Sequence, residues 1–295
     1  MDNAARPEWF EWALAQARTS HFVDSAGTRV HYAAWNAADL DKPGLIFAHG
    51  FLGHSHWWDF IAPFFIEHHR VFALDFSGMG ESGHRAAYTG DCFVDDLEAV
   101  LGATQGAGPV ASTVVGHSFG GARLLQACTQ IPHAIGHAIV LDSFAQFRDD
   151  ELPNHSYSPP PAPTLDRETT LARFRLLPPQ PCEPCLFDHV ARHSLRRVDA
   201  GWTWRFDPAL REFRPKAIDP ESLGRVDTPV DYVHAEASAV VSAERARRIA
   251  GALPRGRGPI TMPRAGHHLM LDQPLALIGV LRTLLAERRQ ATTPA

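Results

Sequence analysis

With 295 residues, 45% hydrophobic and 21% charged, the chain has enough apolar material to bury a sizeable core and lacks the bias of a disordered or fibrous protein. A formal net charge of -5 without a long basic run argues against a nucleic-acid partner, because affinity for a phosphate backbone is built from clustered Lys and Arg. Four cysteines are too few for a disulfide scaffold, the first residues (Asp2, Asn3, Glu8, Glu11) do not resemble a secretory leader, and no window approaches the ~20 apolar residues of a membrane span. The expectation is a cytoplasmic protein, monomer or homodimer, that acts on a small molecule without nucleic acid or membrane.

From the N-terminus, apolar β-rich runs at 29–35, 45–48, 71–75, 113–115 and 138–141 predict strands. The last four are near-continuous apolar runs, as in parallel strands buried on both faces. Between them, 57–67, 91–102 and 121–130 have helical length and apolar spacing, so strand and helix alternate and a doubly wound, mostly parallel sheet follows. Composition then shifts: nine of the 23 prolines fall between Pro153 and Pro184. Two helices, 167–176 and 186–198, joined by Pro178-Pro179-Gln180-Pro181, read as a helical lid inserted at about 146–222. Alternation resumes with strands at 230–234 and 260–262 and helices at 243–253 and 275–288. The reading is one α/β domain over 1–295, with a core at 22–145 and 223–288.

The strand at 113–115 runs into Gly116-His117-Ser118-Phe119-Gly120-Gly121 and then a helix. A serine on so tight a strand-to-helix turn is thrust out of the chain path, and small neighbours are needed because backbone passes close by. The helix start behind Ser118 supplies free N–H groups and a positive dipole end, which stabilise an oxyanion there. A second donor has to come from another loop, and the strand at 45–48 ends in His49-Gly50-Phe51. The amides of Phe51 and Phe119 therefore form the candidate oxyanion hole, each worth roughly 3 kcal/mol of barrier. Seventeen histidines make any one of them weak evidence by itself, and position selects the pair His267-His268, in the loop after the last strand and on the same sheet edge as Ser118.

Taken together, four motifs resemble the α/β-hydrolase superfamily over about residues 22–286. They are His49-Gly50-Phe51 with Trp58, the run from Asp75 to Ser82, the Ser118 turn, and Gly266-His267 ahead of Asp272-Gln273-Pro274. The resemblance implies a serine nucleophile at Ser118 and a general base that follows a glycine and precedes an acidic-x-Pro, which selects His267 over His268. The acid departs from the usual pattern: where an aspartate is expected after the penultimate strand, the chain has Ser238 or Ala239. Asp142, at the end of the 138–141 strand, matches the branch whose acid follows the sixth strand, and Glu236 is the reserve candidate.

Two other patterns carry less weight. Gly78-Met79-Gly80-Glu81-Ser82-Gly83 satisfies a dinucleotide fingerprint, but no helix starts promptly enough to hold a phosphate. Cys182-x-x-Cys185 with His189 and His193 resembles a zinc set, yet on one helix Cys185 and His193 would stand about 12 Å apart along the axis, so packing and surface roles are assigned and no metal or cofactor is called for. The expected chemistry is acyl transfer to water, cleaving a carboxylic ester through an acyl-enzyme. Serine at the turn argues against dehalogenase or epoxide hydrolase chemistry, which uses a carboxylate nucleophile in the family. Trp57, Phe144 and Phe147, with Phe51 and Phe119, predict a pocket for a small apolar or aromatic substrate, although core packing explains them equally well. Carbon-carbon or lactone hydrolysis on the same residues, and a catalytically silent ligand-binding member, remain open.

Overall fold

The computed structural model describes residues 6–105, 111–145, 147, 162–213 and 218–292, so the proline-rich run at 153–161 lies outside the described residues. In chain order the elements are α1 (Glu8–Leu14), β1 (Thr19–Ser25), β2 (Thr28–Trp35), β3 (Gly44–Ala48), β4 (Arg70–Leu74), α2 (Gly90–Ala103), β5 (Ser112–His117), α3 (Phe119–Gln130) and β6 (Ile135–Leu141). An inserted segment follows, with α4 (Arg167–Leu171), α5 (Pro184–His193), β7 (Leu195–Val198), β8 (Gly201–Trp204) and α6 (Pro220–Leu223). The chain closes with β9 (Val230–Ala235), α7 (Ala243–Ala252), β10 (Gly256–Met262), α8 (Leu269–Asp272) and α9 (Pro274–Thr292).

Eight strands form one sheet in the order β1-β2-β4-β3-β5-β6-β9-β10. Only the β1–β2 and β2–β4 pairs are antiparallel; the remaining ladders are parallel. Side chains alternate across the central strands: Val114, Ala138 and Val140 enter the core under α2, α3 and α7, while Val115, Ile139 and Leu141 enter the one under α8 and α9. Both faces are thereby covered, so β3, β4 and β9 are buried along their whole length, and the near-continuous apolar runs of β3 and β4 were legible as buried strands.

Several elements differ from expectation. The apolar run at 57–67 is not a helix but two 3₁₀ turns, Ser55–Trp58 and Ala62–Phe65. Pro63, with no N–H to give and a ring that crowds the preceding turn, interrupts a helix there, and the buried Trp58, Phe60, Ile61 and Phe65 pack the segment onto the core. The helix expected at 186–198 stops at His193, and residues 195–198 pair with Gly201–Trp204 as an antiparallel hairpin. Trp202, Thr203 and Trp204 favour a pleated strand, and supplying them with a partner outweighs another helical turn. Helix α4 is half its expected length and begins where the Asp166 carboxylate accepts the Thr169 amide at 2.7 Å. Neither β1 nor α1 was expected; β1 is an edge strand whose exposure alternates but whose residue types do not follow it, with Phe22 on the exposed side. Among the described residues no helix is long and apolar enough to cross a membrane.

The strand-to-helix turn at Ser118 depends on close backbone approach. A Cβ on Gly120 would meet the carbonyl oxygens of Ala48 and His49 at 2.6 Å, and one on Gly116 would meet the Gly120 carbonyl oxygen at 2.7 Å. Gly120→Ala is therefore expected to lower unfolding stability by about 1–3 kcal/mol, the cost of overpacking a rigid backbone contact, measured as a shifted urea midpoint.

Candidate active site

Ser118 lies between β5 and α3 at φ 52° and ψ -115°, a region that L-residues avoid and that costs on the order of 1–3 kcal/mol. Hydrogen bonds hold it there: the Ser118 amide donates to the Leu141 carbonyl at 2.9 Å, and the Ser143 hydroxyl donates to the Ser118 carbonyl at 2.6 Å. The strain directs the side chain toward the loop after β10. Ser118 Oγ lies 2.9 Å from His267 Nε2, and His267 Nδ1 lies 2.8 Å from Asp142 Oδ2. With His267 neutral, the serine hydroxyl donates to Nε2 and the Nδ1–H donates to the carboxylate, so a proton leaving Ser118 has an acceptor whose positive charge is matched across the ring.

Asp142 is completely buried at φ 44°, just past the end of β6. A buried carboxylate needs its lone pairs filled. Oδ1 accepts the Ala235 amide at 3.0 Å, and Oδ2 accepts the Ser238 hydroxyl at 2.5 Å in addition to His267. Ser238 in turn accepts the amides of Val240 and Val241 at 3.1 and 3.0 Å, which leaves its own proton for Asp142. The residue at the position where an aspartate was sought thus serves as a donor to the carboxylate from the neighbouring strand. Glu236, the reserve candidate, points elsewhere and accepts the Arg264 amide at 2.8 Å.

Other groups fix His267 from the backbone side. His117 Nε2–H donates to the His267 carbonyl at 2.8 Å, so the variable residue of the serine turn grips the histidine loop directly. The Gly266 amide donates to Asp272 Oδ2 at 2.6 Å, which gives the acidic residue of Asp272-Gln273-Pro274 a concrete task. From the inserted segment, Gln180 brackets the next residue, accepting the His268 amide at 2.8 Å and donating to its carbonyl at 3.2 Å. Sequence inspection missed His117, Gln180 and Ser238 because each acts through a partner more than 80 positions away.

The rings of the candidate oxyanion residues Phe51 and Phe119 lie 5.3 Å apart, and Phe119 opens α3, where an amide has no intrahelical acceptor behind it. Of the candidate pocket residues, Trp57 packs its ring 5.2 Å from His268. Phe144 and Phe147 instead lie under the guanidinium groups of Arg245 and Arg248 of α7, and Phe147 belongs to the core. Two cavities of about 220 and 290 Å³ are lined by neither Ser118 nor His267; the smaller sits at the opposite, amino edge of the sheet beside His137, Asp231 and Arg257.

The glycine-rich run at 78–83 is structural. Its glycine amides donate to carbonyls, Gly78 to Gly83 at 2.7 Å and Gly80 to Arg205 at 3.0 Å, and a Cβ on Gly80 would overlap the Asp75 carboxylate. Asp75 receives the Glu81 amide at 2.9 Å and His31 Nδ1 at 2.7 Å, and also binds the Ser55 amide. Burial alone would raise the Asp75 pKa, but the hydrogen bond and charge of His31 hold it down at about 2. Cys182 and Cys185 are free thiols, and burial pushes both upward.

A model of the alpha/beta hydrolase family matches residues 45–280. The esterase Rv0045c of Mycobacterium tuberculosis is 26% identical over 264 residues, covering 83% of this chain and 84% of that protein. The 2-hydroxy-6-oxo-6-(2'-aminophenyl)hexa-2,4-dienoic acid hydrolase of Metapseudomonas resinovorans is 23% identical, covering 95% of each chain. Among solved structures, the thioesterase domain from the curacin biosynthetic pathway superposes with a TM-score of 0.73 at 18% identity, covering 91% of this chain and all of that one.

Two outcomes follow from the buried polar groups. Ser238→Ala removes a donor from a buried carboxylate and is expected to cost about 1.5–3 kcal/mol of unfolding free energy, read from urea titration. Burial, then the neighbouring histidines, pushes His117 well below its ordinary 6.5 and His268 down to about 3, so both stay neutral in the folded chain while the unfolded chain takes up their protons. Folding is then fully favoured above about pH 6.5 and loses stability as pH falls toward the folded values, by at most about 1.4 kcal/mol per pH unit for each histidine. Urea midpoints between pH 8 and 4 check this, and His268→Asn should flatten the slope.

Proposed function

The chain belongs to the alpha/beta hydrolase family and is a hydrolase, and from that premise we propose that it is a serine hydrolase that cleaves carboxylic esters of small apolar or aromatic substrates. The observation that carries the proposal is the unbroken run of hydrogen bonds from Ser118 Oγ through His267 to Asp142, at 2.9 and 2.8 Å. On this reading Ser118 attacks the substrate carbonyl carbon while His267 Nε2 takes its proton, and the imidazolium is held by the Asp142 carboxylate. The amides of Phe51 and Phe119 receive the developing oxyanion. Collapse breaks the ester bond as His267 returns the proton to the leaving alkoxide. Water, deprotonated by the same imidazole, then releases the acid and restores the serine hydroxyl. None of these steps calls for a cofactor.

Likeness to the Mycobacterium tuberculosis esterase over most of both chains favours ester cleavage, and serine rather than aspartate at the turn disfavours alkyl substitution. The inserted residues 162–213 are proposed as a lid: Gln180 grips His268 and the Arg205 carbonyl accepts the Gly80 amide, both on loops at the carboxyl edge of the sheet. A second reading, carbon-carbon hydrolysis of a dienoic acid on the same residues, is favoured by the full-length likeness to the Metapseudomonas enzyme.

A fluorophosphonate probe should label the wild-type chain and leave Ser118→Ala unlabelled; a folded wild-type chain that resists the probe refutes the nucleophile. Asp142→Asn is expected to lower kcat about 10⁴-fold, while Glu236→Gln stays near wild type. Turnover of nitrophenyl esters of graded acyl length, set beside a dienoic diketone acid, separates the two chemistries: faster cleavage of the diketone would overturn the esterase reading.

A further inference from the structure

Three histidines outside the Ser118 cluster converge where the inserted segment meets the core. His56 belongs to the 3₁₀ turn Ser55–Trp58, and His189 and His193 stand one turn apart on α5. One ring nitrogen from each lies within 4.8 Å of the other two. The rings of His56 and His193 stack with centroids 4.0 Å apart, and those of His189 and His193 lie 4.4 Å apart.

The hydrogen bonds that each ring makes support a ligand site. His56 Nδ1 and His189 Nε2 lie 2.6 and 3.0 Å from the same oxygen, Asp59 Oδ2, and His193 Nδ1–H donates to the His189 carbonyl at 2.8 Å. A metal-binding imidazole typically rests its second N–H on a carboxylate or carbonyl, which fixes tautomer and ring plane and makes the other nitrogen more basic. All three rings meet that condition, leaving His56 Nε2, His189 Nδ1 and His193 Nε2 with lone pairs to give. Arg18 lies 3.1 Å from the other oxygen of Asp59, so the carboxylate shared by two of the rings is held from both sides.

We propose that His56, His189 and His193 form a binding site for a divalent transition metal of the zinc class, joining α5 of the insertion to the core turn after β3. Tetrahedral zinc with imidazole ligands needs one nitrogen from each ring about 3.4 Å apart, and the three rings already offer such a set within 4.8 Å, so small ring rotations complete the site. His56 and His189 keep 16% and 11% of their side-chain surface exposed, which gives an ion a path from solvent and the rings room to turn. Three protein nitrogens leave a fourth position for water. The cysteines take no part: Cys185 is in the first turn of α5, eight residues or about 12 Å along the axis from His193, and neither Cys182 nor Cys185 falls within the cluster. The Cys-x-x-Cys pattern thus misdirects, and the chemically relevant pair is His189 with His193, completed by a core residue 133 positions before the first of them.

Calorimetric titration of the chelator-stripped, full-length chain with Zn²⁺ tests the site. One ion should bind per chain, and His56→Gln and His193→Gln should each weaken binding at least tenfold. Zn²⁺ should raise the Tm of the wild type, while the two variants, folded with near wild-type Tm without metal, gain little. Co²⁺ in place of Zn²⁺ should give visible ligand-field bands without thiolate charge transfer. Absence of binding overturns the proposal, as does binding that survives both His→Gln variants or that is lost instead in Cys185→Ser or His267→Ala, which would assign the ion to the thiols or to the His117, His267 and His268 group.

Discussion

The hydrogen bond between Asp142 and His267 is the constraint around which the carboxyl edge of the sheet is arranged. Both side chains are buried, and a carboxylate withdrawn from water is tolerable only when its lone pairs are occupied. Three elements meet that demand: the amide of Ala235 at the end of β9, the hydroxyl of Ser238 just beyond it, and the imidazole from the loop after β10. Because β9 lies between β6 and β10, the acid reaches its histidine across one strand, and the intervening strand supplies the donors. The positive φ of Asp142 is the local cost of turning the carboxylate back over that strand.

Around this bond the backbone is held more tightly than an ordinary loop region. Ser118 is strained, and its amide and carbonyl are tied to Leu141 and Ser143, the residues on either side of Asp142, so Ser118 and Asp142 are anchored to one stretch of chain. Meanwhile His117 grasps the His267 carbonyl from the turn itself. The buried histidines beside the site serve as neutral hydrogen-bonding or packing groups, which keeps additional positive charge away from the His267 imidazole.

The inserted segment is joined to the core by apolar burial, with Leu176, Leu186, Val190 and Leu210 entering the core clusters, and by polar contacts beside it. His54 Nε2 meets Ser194 Oγ at 2.9 Å, Tyr88 donates to Asp207 at 2.7 Å, and Gln180 brackets His268. Such contacts fix the register of one layer on another while giving little of the apolar burial that welds layers together. The group of His56, His189 and His193 lies in the same seam, with His56 next to Trp57, whose ring packs on His268.

What the amino-acid sequence determined by itself was local. Runs such as 45–48 and 138–141 announced buried parallel strands because both faces of a doubly wound sheet are covered, and Gly116 to Gly121 announced a strained turn because only small residues tolerate the backbone contacts there. The His267-His268 loop was legible because sheet topology brings strand ends to one edge, and the resemblance to the α/β-hydrolase superfamily singled out His267 and Asp142. Tertiary structure decided whatever depended on partners distant in the chain. It made Asp142 rather than Glu236 the neighbour of His267, turned Ser238 into its donor, and converted 195–198 from helix to hairpin once Trp202 to Trp204 were available to pair. It also gathered His56 with His189 and His193, a grouping set by how α5 rests on a core turn and carried by no spacing along the chain.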